Sequence, residues 1–238
     1  MNICLIGYGR MGHEIEAAAA NRGHRIVMVI DKDNLIDFGR IDPGETDVAI
    51  EFTTPETAFD NITKCFRKKV PVVCGTTGWL KDYQKASAIC IENETSFIHS
   101  SNFSIGVNIL FRLNSILAEH MSAYTEYKPF IEEIHHARKL DSPSGTAITL
   151  ADCISEKHHG YDGWKFDHAT DEKQIPVRSI REGAIPGIHT VIWDSDVDAI
   201  TLRHESKSRK GLALGALIAA EFIQHRKGVF TMSDVLGF

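Results

Sequence analysis

Short apolar runs alternate with helix-like segments over the first hundred residues of the chain. The alanine run in His13–Arg22 predicts a helix that ends at Gly23, and Thr54-Pro55 predicts the start of another. Ile105–Met121 is the longest helical pattern. The apolar runs predict these buried strands: Ile3–Ile6, Arg25–Ile30, Val48–Phe52, Val70–Cys74 and Ser96–His99. This alternation predicts an α/β fold, a Rossmann-like doubly wound parallel sheet.

The pattern changes from Phe130 onward, where turns with glycine or proline replace helices as connections. Ser155–Thr170 is predicted to be a surface connection, and Gly211–His225 is predicted to be a helix that returns to the first domain. The later strand-like runs are Phe130–His136, Val177–Glu182, His189–Asp194 and Ala199–His204. They predict a second α+β domain with a mixed or antiparallel sheet.

These patterns divide the chain into two domains. We expect residues 1–104 and 210–238 to form a dinucleotide-binding domain. Residues 105–209 are expected to form a domain that binds substrate and mediates oligomerisation.

Composition narrows the class of protein. The net charge of −6 gives no basic surface for nucleic acid. The longest apolar stretch, Gly211–Ile223, is shorter than the roughly 20 residues that span a membrane, so no membrane partner is expected. The five cysteines are scattered without a CxxC pair, which favours reduced thiols in a cytoplasmic protein and predicts neither disulfides nor a metal site.

A glycine-rich turn directly follows the first predicted strand. Its residues are Gly7, Tyr8, Gly9, Arg10, Met11 and Gly12. The turn opens a helix, and Asp31 ends the second strand nineteen residues after Gly12. Glycines allow a pyrophosphate to approach the backbone, the helix N-terminus stabilises its charge, and the acid accepts hydrogen bonds from ribose. This combination predicts a dinucleotide site.

The residue after Asp31 bears on which dinucleotide is bound. A carboxylate favours the free ribose of NAD, whereas a cation such as Lys32 can meet the 2′-phosphate of NADP. Lys32 is equally compatible with a solvated surface lysine. Both NADH and NADPH therefore stay open as cofactors.

A loop in the middle of the chain concentrates groups suited to acid chemistry. His135, His136 and Lys139 offer protons near neutrality and a fixed positive charge. Ser144-Gly145-Thr146 then begins an apolar helical pattern, whose N–H groups can bind a carboxylate. Each residue alone also fits an ordinary strand end or helix cap. Together, downstream of a dinucleotide turn, they predict a dicarboxylate substrate that gains a hydride.

Several motifs carry a family resemblance over nearly the whole chain. They are GYGRMG, EFTTPET, VVCGTTGW, SSNFSIGVN, EIHHARKLDSPSGTA and HESKSR. In this order they resemble the 4-hydroxy-tetrahydrodipicolinate reductase (dihydrodipicolinate reductase) family of the diaminopimelate route to lysine. The GYGRMG turn is shorter than the GxxGRMG form of other members, which leaves the roles of its individual glycines open.

The resemblance implies specific roles and an assembly. His135 would be the proton donor or acceptor, Lys139 a second proton donor, and His136 a substrate contact. Gly145 and Thr146 would bind substrate carboxylate, and Arg209 would add a contact across the domain cleft. The residues that would line NADH or NADPH are Gly7 to Gly12, Asp31, Lys32, Gly75, Thr76, Thr77, Ser100, Ser101, Asn102 and Phe103. The resemblance also implies a homotetramer.

Two other functions fit parts of the pattern. An acylating semialdehyde dehydrogenase would need a nucleophilic cysteine, and Cys153 is the only cysteine in the second predicted domain. A nucleotide-sensing protein without turnover would be favoured by loss of His135, Lys139 or the Ser-Gly-Thr turn. The chain retains all of these.

Overall fold

A computed structural model describes residues 1–167 and 171–238 of the chain. They form two compact units, one from Met1–Ile105 with Arg209–Phe238 and the other from Gly106–Ser208. Ile105 and Arg209, which the sequence pattern assigned to the second domain, therefore belong to the first unit. Within the described residues, none of the helices combines the length and apolar character that crossing a bilayer requires.

The strands and helices are numbered in chain order. The strands are β1 (Asn2–Ile6), β2 (Arg25–Ile30), β3 (Val48–Glu51), β4 (Val72–Cys74), β5 (Ser96–His99), β6 (Lys128–His135), β7 (Gly163–Phe166), β8 (Gln174–Arg181), β9 (Ile188–Asp194), β10 (Ala199–Glu205) and β11 (Gly228–Phe230). The helices are α1 (Arg10–Asn21), α2 (Pro55–Arg67), α3 (Tyr83–Glu92), α4 (Ile105–Met121), α5 (Gly145–Lys157), α6 (Lys210–Ile223) and α7 (Met232–Leu236).

The first unit contains a six-stranded sheet in the order β11-β5-β4-β3-β1-β2. Every neighbouring pair is parallel, which confirms the predicted doubly wound architecture. The chain runs in opposite directions across the sheet on either side of the β1–β3 pair, so this pair is the topological switch point. Open α/β sheets bind ligands beyond the carboxyl ends of the strands at such a point.

Both faces of this sheet are covered. Alternation along β1 directs Ile3 and Leu5 into one apolar cluster and Cys4 and Ile6 into the other, and all four are at most 1% exposed. Helices α1 and α6 cover the face that holds Ile3 and Leu5. Burial on both faces explains why the first strand reads as a continuous apolar run.

The second unit contains a five-stranded mixed sheet in the order β10-β9-β6-β8-β7. Strand β6 is parallel to β8 and antiparallel to β9, so the central strand joins the two kinds of pairing. Ile131 and Val191 pack with Leu150 of α5 in the core of this unit. Phe130, Ile134 and Ile192 lie on the opposite face of the sheet, where they are only partly buried.

Several elements differ from the sequence prediction. Ser155–Thr170 is not simply a connection, because α5 continues to Lys157 and Gly163–Phe166 forms β7, an edge strand parallel to β8. Residues 168–170 of that segment lie outside the described residues. Helix α1 begins at Arg10, three residues earlier than predicted. The pattern also missed α3, α7 and the three-residue strand β11, whose short apolar runs give little periodicity.

Candidate active site

The turn after β1 packs tightly against the neighbouring strands of the switch point. The N–H of Gly7 donates to the carbonyl of Ile30 over 2.8 Å. Gly7 has a φ of +91°, and a Cβ there would lie 2.1 Å from the carbonyl oxygen of Phe52. Only glycine fits this position, both because of its backbone conformation and because of the close approach to Phe52.

The other two glycines of the turn have different surroundings. A Cβ on Gly12 would lie 2.6 Å from the carbonyl oxygen of Gly7, so Gly12 allows α1 to start close to the turn. A Cβ on Gly9 would meet no atom within 4 Å. Gly9 is the N-cap residue of α1, which has neither a side-chain cap nor an acidic residue in its first turn. This open, uncapped helix start fits the pyrophosphate of a dinucleotide.

The remaining residues of the turn flank that helix start. The hydroxyl of Tyr8 donates to Glu16, and the Tyr8 ring lies 4.2 Å from the ring of His13. Arg10 is exposed at the first helical position, whereas Met11 packs against the apolar cluster beneath α1. Tyr8 is thus held along α1.

Asp31 and Lys32 follow β2, the strand beside β1. The Asp31 carboxylate accepts from the main-chain N–H of Lys32 over 2.8 Å, and the Asp31 N–H donates to Asn34 over 2.7 Å. These bonds hold the turn in which Asp31 lies at the carboxyl edge of the sheet. The side chain of Lys32 is exposed.

The turns after β3 and β4 are joined by hydrogen bonds. Thr53 donates its N–H to Oγ1 of Thr76 over 2.8 Å, and the Thr76 carbonyl accepts from Nε1 of Trp79 over 2.9 Å. A Cβ on Gly75 would lie 2.0 Å from the ring of Phe52. Thr76 is therefore buried between the turns, at 5% exposure, whereas its neighbour Thr77 is exposed.

A buried carboxylate lies under these turns. Glu51, at the end of β3, is fully buried and accepts from the Thr53 hydroxyl and from Sγ of Cys74 at 3.0 Å. Glu51 and Thr53 had no assigned role in the sequence prediction. Their position where a strand of the switch point ends was the signal that could have drawn attention to them.

The segment Ser100–Phe103 follows β5 at the same edge. Ser100 donates its N–H to the carbonyl of Cys74 and its hydroxyl to the carbonyl of Asn102, and Ser101 between them is exposed. Phe103 is 1% exposed and lies so close to α6 that a Cβ on Gly215 would be 1.7 Å from its carbonyl oxygen. The side chain of Phe103 thus belongs to the core.

In the second unit, β6 ends at the first histidine of the pair. His135 is 8% exposed, and its Nδ1 is hydrogen-bonded to the carboxylate of Glu133, which is fully buried. Burial alone would raise the pKa of Glu133, but hydrogen bonds from His135 and Arg181 lower it to about 2. Glu133 is thus an ionised carboxylate at neutral pH.

His136 and Lys139 lie in the loop after β6. The N–H of His136 donates to the carbonyl of Ile185 over 2.8 Å. Nζ of Lys139 donates to both carboxylate oxygens of Asp141, each at 2.8 Å. Burial raises the pKa of Asp141, but the hydrogen bond from Lys139 outweighs it, so the net shift is downward. The loop thereby pairs Lys139 with Asp141 and leaves its side chain partly buried.

The start of α5 lies beside the same strand. Ser144 is the N-cap residue, and its Oγ accepts from the N–H of Ala147 over 3.2 Å, while its own N–H donates to Glu133 over 3.3 Å. A Cβ on Gly145 would meet no atom within 4 Å, and Thr146 is partly buried next to it. An open helix start of this kind can bind a carboxylate.

Two functional candidates in this unit were missed by the sequence prediction. Nη2 of Arg181 donates to Glu133 over 2.8 Å, and Nε2 of His189 lies 3.0 Å from Oγ of Ser144. The strand register places Arg181 and His189 beside Glu133 and His135, because His135 is opposite Arg181 and Glu133 is opposite His189. Burial, followed by the charge of His135, lowers the pKa of His189 to about 3.

Two other residues from the sequence prediction lie elsewhere. Arg209 is exposed at the N-cap of α6 and belongs to the first unit. Cys153 lies within α5, where burial raises the pKa of its thiol. A thiol that resists ionisation is a poor nucleophile, which argues against the acylating dehydrogenase alternative.

Two family models together match nearly the whole chain. The model described as dihydrodipicolinate reductase, N-terminus, matches residues 1–103, and the one described as dihydrodipicolinate reductase, C-terminus, matches residues 106–236. The chain belongs to the dihydrodipicolinate reductase family. Together the matched ranges contain the glycine turn and the histidine pair.

Named relatives of the dihydrodipicolinate reductase family align over almost the whole chain. The 4-hydroxy-tetrahydrodipicolinate reductase of Christiangramia forsetii is 52% identical, over 99% of this chain and 98% of the relative. The enzyme of the same name from Thermosipho africanus is 33% identical, again over 99% of this chain and 98% of the relative. Both relatives are reductases by name.

Solved structures share the fold. A dipicolinate-bound dihydrodipicolinate reductase from Paenisporosarcina sp. TG-14 superposes with a TM-score of 0.80 at 22% identity, covering 97% of both chains. An amine dehydrogenase from Mycobacterium smegmatis has a TM-score of 0.67 at 9% identity, over 98% of this chain and 95% of the other. At these identities the similarity supports the fold and not a substrate.

Proposed function

We propose that the chain reduces 4-hydroxy-tetrahydrodipicolinate to tetrahydrodipicolinate with NADH or NADPH, in the diaminopimelate route of lysine biosynthesis. The observation that carries the proposal is the cluster in the second unit, where a buried histidine with an ionised partner adjoins an open helix start. The 52% identity to the C. forsetii reductase over nearly the full chain supports the same substrate.

The first unit holds the cofactor in this proposal. The open backbone at Gly9 and the uncapped start of α1 fit the pyrophosphate, and Asp31 accepts hydrogen bonds from the adenosine ribose. Residues in the turns after β4 and β5 are proposed to contact the nicotinamide half. They are Gly75, Thr76, Thr77 and Ser100 to Phe103, with Phe103 using its main chain because its ring is buried. When bound, NADH or NADPH supplies a hydride.

The second unit holds the cyclic dicarboxylate. The N–H groups at Gly145 and Thr146 bind one carboxylate, and His136 adds a polar contact to the substrate. His135 donates a proton to the ring carbon that becomes electron-rich as the hydride is added. Lys139 supplies positive charge and a second proton source.

The proposed reaction balances without another oxidant or metal. One hydride and one proton are added to the substrate, one water is lost, and the cofactor leaves oxidised. A positioned general acid contributes about 10²–10⁴-fold to such a step. The cytoplasm is the proposed compartment, because thiols such as the five free cysteines stay reduced there.

We also propose that the protein assembles as a homotetramer through the second sheet. Phe130 and Ile192 are directly paired across β6 and β9, and they lie on the face opposite the helical core of the unit. Packing of two such faces would remove apolar area from water. Isologous contacts of this kind build closed symmetric assemblies.

Oxidation of NADH or NADPH tests the proposed reaction. The substrate is made in the cuvette from pyruvate and aspartate semialdehyde by the synthase that precedes this step. Wild-type protein should oxidise the cofactor only when the synthase is present, and the variants His135→Ala and Lys139→Ala should be slower by about 10²–10⁴-fold. Absence of activity in the wild type, with correctly folded protein, would refute the proposal.

A further inference from the structure

Glu133 is a carboxylate with three donors in the interior of the second unit. It is fully buried on β6, two residues before His135, so both side chains lie on the same face of the strand. One of its oxygens is bonded to Nδ1 of His135, and the other accepts from Arg181 at 2.8 Å and from the N–H of Ser144 at 3.3 Å. Each oxygen is thereby occupied by a directed donor.

The charge on this carboxylate decides which nitrogen of His135 carries the proton. An ionised carboxylate accepts hydrogen bonds only, so Nδ1 of His135 must be the donor toward Glu133. The exchangeable proton of the imidazole is then the one at Nε2. Arg181 keeps the acceptor charged, because it balances a carboxylate that would otherwise be buried without a counter-ion.

The other side of the ring is also constrained. A Cβ on Gly187 would lie 2.8 Å from Nε2 of His135, so glycine leaves room beside this nitrogen. His189 meets the ring edge-on, with the ring centres 5.1 Å apart. The imidazole is therefore fixed by a hydrogen bond at Nδ1 and by the edge-on contact with His189, while Nε2 keeps room beside it.

We propose that Glu133, supported by Arg181, is a positioning residue that fixes the tautomer and orientation of His135 and anchors the start of α5 to the same point. This inference rests on the proposed function, in which Nε2 of His135 gives the proton and Gly145 and Thr146 bind a carboxylate. A carboxylate behind the imidazole plays this supporting part in Ser-His-Asp triads, where the histidine exchanges protons at its other nitrogen.

Within the described residues, ligand atoms of Glu133, His135 and His189 also lie within 4.8 Å of one another, as in a metal site. The hydrogen bonds of Glu133 account for this closeness without an ion, because Arg181 and the Ser144 N–H donate to one oxygen and His135 to the other. A cation would have to displace these donors. The positioning role therefore predicts that activity survives prolonged treatment with a chelator.

The test replaces Glu133 by glutamine, which keeps the shape and removes the charge. Nitrogen NMR of histidine-labelled protein, assigned with His135→Gln, should show a hydrogen-bonded Nδ1–H of His135 in the wild type that is lost in Glu133→Gln. The kcat of Glu133→Gln should fall by about 10- to 100-fold, while the KM for NADH or NADPH stays within about twofold. The matched control is Glu132→Gln, the adjacent residue of β6, which faces the other way and pairs with Arg178.

A double variant shows whether Glu133 affects kcat by positioning His135 or independently of His135. If Glu133 acts through His135, the variant Glu133→Gln/His135→Gln should be no slower than His135→Gln alone. Additive losses, an unchanged kcat in Glu133→Gln, or loss of activity with chelator would overturn the inference.

The NMR measurement keeps the inference separate from the proposed function. Should Glu133→Gln not fold, the wild-type spectrum decides, since an Nδ1 of His135 without a proton is incompatible with the proposed role. A wild-type protein that has the bonded Nδ1–H but does not reduce the dicarboxylate would contradict the proposed function and leave the positioning of His135 intact.

Discussion

The main-chain N–H of Thr53 donates to the side-chain oxygen of Thr76 over 2.8 Å, and this bond joins the turns after β3 and β4. Thr76→Val keeps the shape of the side chain but leaves the Thr53 N–H without its acceptor in a partly buried position. Leaving such a group unsatisfied costs about 1–3 kcal/mol. Denaturant unfolding should show this loss, whereas Thr77→Val, at the exposed neighbour, should change stability by less than about 0.5 kcal/mol. Equal effects of both variants would contradict the interpretation.

The glycine turn offers a matched pair of alanine substitutions. Gly12→Ala places a methyl group 2.6 Å from the carbonyl oxygen of Gly7, and this overpacking should destabilise the first unit by about 1–3 kcal/mol. Gly9→Ala adds a methyl group where no protein atom lies within 4 Å, so stability should be unchanged. It should instead raise the KM for NADH and NADPH by about tenfold or more, because the methyl group obstructs the pyrophosphate. Unchanged cofactor binding in Gly9→Ala would show that the pyrophosphate lies elsewhere.

The pair Asp31 and Lys32 tests the choice of cofactor. Asp31 is expected to bind the ribose of NADH, and Lys32 is expected to offset the repulsion between Asp31 and the 2′-phosphate of NADPH. Wild-type kcat/KM for the two cofactors should agree within about tenfold, or 1.4 kcal/mol. Lys32→Ala should lower kcat/KM for NADPH more than for NADH, and Asp31→Ala should lower kcat/KM for NADH more than for NADPH. A ratio that neither variant changes would leave Lys32 as a solvated lysine.

Buried His189 should make stability depend on pH. Burial and the charge of His135 lower the pKa of His189 from 6.5 to about 3. Below pH 6.5 the unfolded chain therefore binds a proton at this residue that the folded chain does not bind. This contribution to stability is present above pH 6.5 and is lost, by about 1.4 kcal/mol for each pH unit, as the pH falls toward 3. His189→Gln should reduce the slope of unfolding free energy between pH 6.5 and 5. Glu133 adds its own loss only between pH 4.5 and about 2. An unchanged slope in His189→Gln would contradict this assignment.

The proposed tetramer depends on the apolar face of the second sheet. Ile192→Lys places a charge beside Phe130 on that face and should dissociate the assembly, since an unpaired charge in an interface is costly. Light scattering over a range of concentrations measures the mass. Val197→Lys, in an exposed turn at 82% exposure, should leave the mass unchanged. A monomeric wild type, or a tetramer that tolerates Ile192→Lys, would contradict this assembly.

The sequence pattern correctly predicted features of the fold that depend on residues close together in the chain. The strand ends at Ile6 and Ile30 and the helix start at Pro55 follow from apolar runs, glycines and a proline, whose effects act within a few residues. The candidate proton donor was also found locally, because His135 and the start of α5 lie in one motif. The short strand-like runs after Phe130, joined by turns, likewise predicted the second sheet.

The partners of the proton donor could not be found in this way. Arg181 and His189 lie 46 and 54 residues after His135, and only the register of β8 and β9 against β6 brings them to Glu133. A shift of one residue would have turned both away from the site. For Phe103, the motif predicted a contact with the cofactor, but tertiary packing buries the ring in the core. The sequence motif alone does not show such packing.

The return of α6 and β11 to the first unit has a consequence for synthesis of the chain. Strand β11 completes the edge of the six-stranded sheet, and α6 covers the face on which Ile3 and Leu5 lie. When only the first 105 residues have left the ribosome, α1 can cover part of this face, but α6 and the edge strand β11 are still missing. The second unit interrupts the first as an insertion and is complete before α6 emerges. The domain that begins the chain is thus the last to be able to fold.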